Sequence, residues 1–137
     1  MDANDLVTRA ARLAARAHHG QFRRDGVTPY VRHPEAVASR VSGDPMCEAV
    51  AWLHDVFEDT AVTAEEMRER GIPDEVIACV RLLTKAEGVD YDAYLAAVKQ
   101  NAVAKRVKIA DMLSNLSDHP SERQIVKYAK GLLILLS

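Results

Sequence analysis

Apolar positions along this chain recur with helical spacing from one end to the other. Leu6, Ala10, Leu13, Ala14 and Ala17 fall at intervals of three and four with arginines between them, which predicts an amphipathic helix from about Asn4 to His19. Gly20 stops it. Gln21 to Arg32, carrying Gly26 and Pro29, reads as an irregular loop. His33-Pro34 opens a second helix, with proline in its first turn, running to about Val41. After the turn Ser42-Gly43-Asp44-Pro45, one continuous helix is expected from Pro45 to about Glu58. Thr63, with Glu66 three residues on, starts a short helix as a capping box. Gly71 ends it, and Pro73 begins another that runs to about Thr84. Lys85 to Val89 is a loop. Asp90 to Gln100, with Tyr91, Tyr94, Leu95 and Val98 on one face, and Val103 to about Ser117 give two more helices, and Pro120 stands at the start of the last. Seven or eight helices with no convincing strand predict an all-α domain occupying 1–137.

Composition refines that picture without changing it. At 137 residues the chain can bury a proper core. Aromatics are only 5% and alanine and leucine are plentiful, which favours helix over sheet. A net charge of −2 offers no general attraction for nucleic acid or an acidic membrane, so any anion site must be a local cluster. Cys47 and Cys79 sit in apolar helical patterns and read as reduced core thiols. The polar start MDANDLVTRA lacks the apolar stretch of a signal peptide. The run Leu132 to Leu136 is too short to span a bilayer. A cytoplasmic setting is the expectation. The apolar end of the last helix suggests a homodimer, unless it completes the core.

One segment breaks the packing pattern. Trp52-Leu53-His54-Asp55-Val56-Phe57-Glu58-Asp59-Thr60 puts four metal-binding or proton-transferring side chains into six residues of an apolar stretch. In a helix, His54 stands one turn before Glu58 and Asp55 one turn before Asp59. His54 and Asp55, about 100° apart at ~3.6 residues per turn, could touch one ion. Burying four such groups costs free energy unless they are paired or bind metal. Acidic residues at a helix C-terminus also oppose the macrodipole, so local helix stability does not account for them. With His33 and with Asp111 in Lys108-Ile109-Ala110-Asp111, the set becomes two imidazoles and two carboxylates. This mixture suits a divalent ion such as Mn²⁺ and leaves positions for water and substrate. The absence of thiolates counts against structural zinc.

At these residues the chain resembles the HD-domain metal-dependent phosphohydrolases. The branch is the hydrolase domain of RelA/SpoT alarmone enzymes and their small free-standing relatives of the metazoan SpoT-homologue type. The resemblance runs from Ala14 to Asp118. It rests on Ala17-His18-His19-Gly20-Gln21, Thr28-Pro29-Tyr30-Val31-Arg32-His33-Pro34, Leu53 to Thr60, and Lys108-Ile109-Ala110-Asp111 with Asn115. It implies that His33, His54, Asp55 and Asp111 hold one metal ion per chain, and that Glu58 and Asp59 orient and deprotonate the attacking water. It further implies that Asn115 contacts substrate and that Arg23 or Arg24 lies against the nucleotide. His18 takes a supporting role, Tyr30 packs under the site or hydrogen-bonds a ligand, with packing favoured, and His119 is exposed. Arg23, Arg24, Lys105, Arg106 and Lys108 could offset substrate charge, although Lys105 and Arg106 read rather as a solvated face.

Two departures stand out. Alarmone hydrolases usually read Asp-Arg-Leu-His-Asn or Asp-Lys-Leu-Tyr-Asn where this chain has Asp111-Met112-Leu113-Ser114-Asn115, and Asp25 replaces a common lysine. Both suggest a recognition surface with less positive charge. The expected activity is hydrolysis of a nucleotide phosphate or pyrophosphate ester. Removal of the 3′-pyrophosphate of guanosine 3′,5′-bis(diphosphate) is the leading reading, and no synthetase segment accompanies it. The alternatives are a phosphomonoesterase acting on another nucleotide (the 2′-phosphate of NADPH, or a deoxynucleotide) and a non-catalytic nucleotide-binding regulator. The intact Glu58-Asp59 pair argues against the regulator.

Overall fold

The computed structural model describes residues 2–137 and is helical throughout, with nine helices among them. These are α1 (Ala3–Ala17), α2 (Arg32–Arg40), α3 (Pro45–Leu53), α4 (Val56–Asp59), α5 (Ala64–Glu69), α6 (Asp74–Leu83), α7 (Tyr91–Lys99), α8 (Ala102–Leu116) and α9 (Glu122–Leu136). Local chemistry sets most boundaries. Side chains of Asp2, Asp44, Thr63, Asp90, Asn101 and Ser121 each accept a hydrogen bond from the backbone N–H three residues on, satisfying donors that the first helical turn leaves free. Ser121 and Gln124 form a reciprocal capping box. Gly20, at φ +82°, takes the left-handed conformation that ends the α1 turn.

The helix expected from Pro45 to Glu58 is in fact two, which raises the count to nine. Ala51 O accepts from His54 N at 3.5 Å and from the His54 ring at 2.6 Å. The imidazole thus occupies the carbonyl that a continuing helix would offer to Asp55. A tight turn at His54-Asp55 results, and α4 restarts with Asp59 N donating to Asp55 O.

The core is built around α3, whose Ala49, Val50, Ala51 and Leu53 are fully buried, as expected of a helix that is apolar on nearly every side. Helices α1, α2, α6 and α8 pack around it, and α9 closes over α7 and α8. Burying a side chain such as Leu53 contributes about 1.5–3 kcal/mol. Close approach of α9 needs a glycine: a Cβ on Gly131 would lie 2.6 Å from the Met112 methyl and 3.3 Å from Leu95. Leu135 completes the core, whereas Leu133 and Leu136 stay exposed. Cys47 and Cys79 are buried, free thiols. Among the described residues no helix is long and apolar enough to cross a membrane.

Candidate active site

Three elements deliver the site. His33 comes from the first turn of α2, His54 and Asp55 from the turn between α3 and α4, and Asp111 from the middle of α8. A ligand atom from each of His33, His54 and Asp111 lies within 4.8 Å of the others, and all three residues are buried. His33 Nε2 stands 2.8 Å from Asp111 Oδ1. Asp55 Oδ2 reaches the same place, 3.1 Å from His54 Nε2 and 3.8 Å from His33 Nε2.

The electrostatics call for positive charge there, a proton on His54 or a metal ion. His54 Nδ1 donates to the Ala51 carbonyl, so the lone pair of a neutral ring lies on Nε2. That atom is fully buried and makes no well-directed hydrogen bond, with carboxylate oxygens of Asp55 and Asp111 only 3.1 and 3.4 Å away. A lone pair facing two carboxylates is repulsive unless a proton or a metal ion intervenes. Burial opposes a charged His54 ring, but Asp55 and Asp111 outweigh it and hold its pKa well above the ordinary value. Burial likewise pushes Asp111 up, yet Lys108 and the two imidazoles pull it well below the carboxylate range. Asp55 is drawn down to about 2, burial being outweighed chiefly by His54. Two ionised carboxylates and two imidazoles in a buried cluster fit a divalent ion of borderline or hard character.

A second set of residues holds these four in place. Of the two roles open to Tyr30, the less favoured is the one found: its hydroxyl donates to Asp55 Oδ2 at 2.7 Å. Burial and the nearby acids raise its pKa, so it remains a donor. Its ring lies against His18 and His33, with centroids 4.9 and 6.1 Å away. His18 is buried and bonded to Gln21, whose amide in turn donates to Asp59 O. Asn115 Nδ2 donates to Asp111 Oδ1 and Lys108 Nζ to Asp111 Oδ2, at 3.2 and 3.0 Å. Lys105 and Arg106 do not join the cluster; Arg106 pairs with Asp44 instead.

Glu58 and Asp59 are exposed on α4, not stacked above His54 and Asp55 in one helix. Glu58 Oε1 accepts from Lys85 N at 2.7 Å. Burial raises the pKa of both, with the Asp55 charge adding to it. Glu58 faces a cleft of about 520 Å³, also lined by Lys85, Tyr91, Tyr94, Lys108, Lys127 and Tyr128. Local sequence gives no sign of that wall, because α6, α7, α8 and α9 or their loops each contribute part of it. The Tyr-x-x-Tyr spacing of α7 and the paired Lys127-Tyr128 were its only traces.

The hairpin between α1 and α2 separates the two candidate arginines. Phe22 and Pro29 form an isolated bridge, and Asp25 closes the loop by accepting from Val27 N, Thr28 N and the Thr28 hydroxyl. Asp25 is therefore engaged within its own turn. Arg23 turns inward, 3.1 Å from Asp118 and 3.4 Å from Asn115 Oδ1, with its guanidinium 5.7 Å from the Tyr30 ring centre. Arg24 turns towards α9 and donates to Gln124. The two residues that replace a basic side chain and a ring in the alarmone-hydrolase pattern both lie inside the fold. Met112 is fully buried in the core, and Ser114 is buried with its hydroxyl accepting from Arg40 Nε at 2.9 Å. His119 is exposed, as expected.

No protein-family model matches the chain. A probable GTP pyrophosphokinase of Mycobacterium leprae is 32% identical over 145 aligned positions, covering 95% of this chain and 18% of that protein. A guanosine-3′,5′-bis(diphosphate) 3′-pyrophosphohydrolase of Haemophilus influenzae is 32% identical over 117 positions, covering 76% of this chain and 17% of that one. The chain thus spans less than a fifth of the length of these curated relatives. A solved structure, described as a metazoan ortholog of SpoT that hydrolyzes ppGpp, superimposes with a TM-score of 0.75 at 28% identity. The match covers 96% of this chain and 83% of that one. The helical fold and the His/His/Asp cluster define an HD-type hydrolase domain. Within that class, the chain belongs with the RelA/SpoT-type hydrolase domains.

Proposed function

We propose that the chain, acting as a single HD domain, is a Mn²⁺-dependent phosphohydrolase that removes the 3′-pyrophosphate of guanosine 3′,5′-bis(diphosphate). The observation carrying this reading is the buried His54 Nε2, which faces two ionised carboxylates beside a basic cleft lined by Glu58. Similarity to proteins named for this hydrolysis supports the choice of substrate.

In this reading His33, His54, Asp55 and Asp111 are the ligands. A divalent ion there would acidify the attacking water and neutralise charge developing on a phosphoryl oxygen. Tyr30 fixes Asp55, while Asn115 and Lys108 fix Asp111, so the ligand oxygens are aimed before substrate arrives. Glu58, its pKa raised by burial, accepts the water's proton through the oxygen not held by Lys85 N. Asp59 orients the same water. Lys85, Lys108 and Lys127 neutralise phosphate charge in the cleft, a role that suits phosphoryl transfer, where positioning and electrostatics supply most of the catalysis. Arg23, beside Asn115 and over Tyr30, is the arginine placed to lie against the base; Arg24 contacts the substrate's outer edge. The test is a product assay on a panel of nucleotides with Mn²⁺. Pyrophosphate release from guanosine tetraphosphate supports the reading. Orthophosphate release from NADPH or a deoxynucleotide replaces it with a phosphomonoesterase, and binding without turnover replaces it with a regulator.

A further inference from the structure

A second cavity, of about 240 Å³, lies between α2 and α8 and shares no lining residue with the cleft beside Glu58. Three arginines meet on it: Arg23, Arg32 and Arg40. Two are neutralised, Arg23 by Asp118 at 3.1 Å and Arg32 by Glu35 at 2.8 Å. Among the described residues Arg40 has no carboxylate within salt-bridge distance. Its partners are neutral, with Ser114 Oγ accepting from Nε and Ser117 Oγ from Nη2, both at 2.9 Å. Ser117 Oγ donates onward to Leu113 O at 2.8 Å, so the hydroxyl that holds the guanidinium is itself held.

Two of the five donors of the fork are thereby spent in fixing its plane, and three remain with no protein partner. A planar, pre-positioned guanidinium with uncompensated charge on the wall of a cavity is matched to an oxyanion, which it can engage through two parallel bonds. The small Ser114 makes this arrangement possible, standing where alarmone hydrolases usually carry a histidine or tyrosine ring. We propose that the Arg40 end of this cavity is a phosphate-class oxyanion site, neighbouring Arg23 and His33 but distinct from the lysine-lined cleft beside Glu58. It takes inorganic phosphate or the phosphate of a small phosphoester. His33, Ala36 and Arg40 share one face of α2, so the anion lies against the helix that carries His33. The inference concerns binding alone and stands whether or not the cleft turns over a nucleotide.

The experiment is isothermal titration of the full chain with inorganic phosphate and, separately, with ribose 5-phosphate. Arg40→Met should weaken phosphate binding roughly tenfold or more, the scale of one lost charge-assisted pair, while Lys130→Met, an exposed lysine of α9 that lines neither cavity, leaves this binding within about twofold. Ser117→Asp keeps Arg40 in place but supplies an internal carboxylate, and should abolish binding in a folded protein even if Arg40→Met fails to fold. Tighter binding of the ester assigns a sugar phosphate to the cavity, and equal or weaker binding assigns free phosphate. The proposal is overturned if wild type binds no phosphate at millimolar concentration, or if Ser117→Asp binds it as wild type does.

Discussion

Glu58→Gln separates proton transfer from every other role at this site. Glu58 Oε1 accepts the Lys85 backbone N–H at 2.7 Å, and the glutamine carbonyl can accept the same bond. Exchanging a charged acceptor for a neutral one costs about 1 kcal/mol, which lowers Tm by only a few degrees. The substitution also removes a partly desolvated carboxylate whose pKa burial already raises, so glutamine resembles the protonated form. The second oxygen, however, can no longer take a proton from water. General-base catalysis contributes roughly 10²–10⁴-fold, so the barrier should rise by about 2.7–5.4 kcal/mol. The assay is steady-state hydrolysis of the best substrate of the nucleotide panel, with metal content from elemental analysis and Tm on the same preparation. The variant should keep its metal, bind nucleotide nearly normally and lose turnover by that factor. Hydrolysis at the wild-type rate would show that Glu58 merely anchors the Lys85 loop.

Asp59→Asn should reduce kcat to a similar or lesser degree with metal retained, and an unchanged kcat would remove Asp59 from the mechanism. His54→Ala and Asp55→Ala should each lose the ion, because an incomplete ligand set binds far more weakly; full occupancy in both by elemental analysis contradicts the assignment. Arg23→Ala should raise KM more than it lowers kcat and exceed the effect of Arg24→Ala, since only Arg23 lies beside Asn115 and Tyr30; the reverse order would place the base on the α9 side of the loop. Chelation should lower Tm, by an amount reflecting about 2.7 kcal/mol when the ion had been present at a hundred times its Kd; an unchanged melting curve would mean that the cluster binds no ion.

Helix boundaries were legible because caps and stops are local: Thr63 with Glu66, Gly20 and Pro34 act within three residues of themselves. The four buried ligand candidates were legible for the opposite reason, since no packing role accounts for so many ionisable groups in apolar surroundings. What stayed hidden depends on contacts between distant segments. The break at His54 arises because an imidazole competes for a backbone carbonyl, which periodicity cannot register. Arg23 and Arg24 are adjacent and chemically alike, and only the hairpin closed by Asp25 turns one inward. That Met112 packs in the core follows from α9 lying close over it at Gly131, a contact no local pattern shows. The basic cleft is assembled from segments scattered between Glu58 and Tyr128, so Lys85, Lys127 and Tyr128 carry no common signal in the sequence.

The central claim is that His33, His54, Asp55 and Asp111 form a divalent-metal centre next to Glu58. Anomalous diffraction at the manganese edge, on crystals of the full chain grown with Mn²⁺, tests it most directly. The account predicts one strong peak per chain, bounded by His33 Nε2, His54 Nε2 and oxygens of Asp55 and Asp111, on the side open to Glu58. A peak elsewhere, or none with His54 Nε2 hydrogen-bonded to a carboxylate, would contradict it.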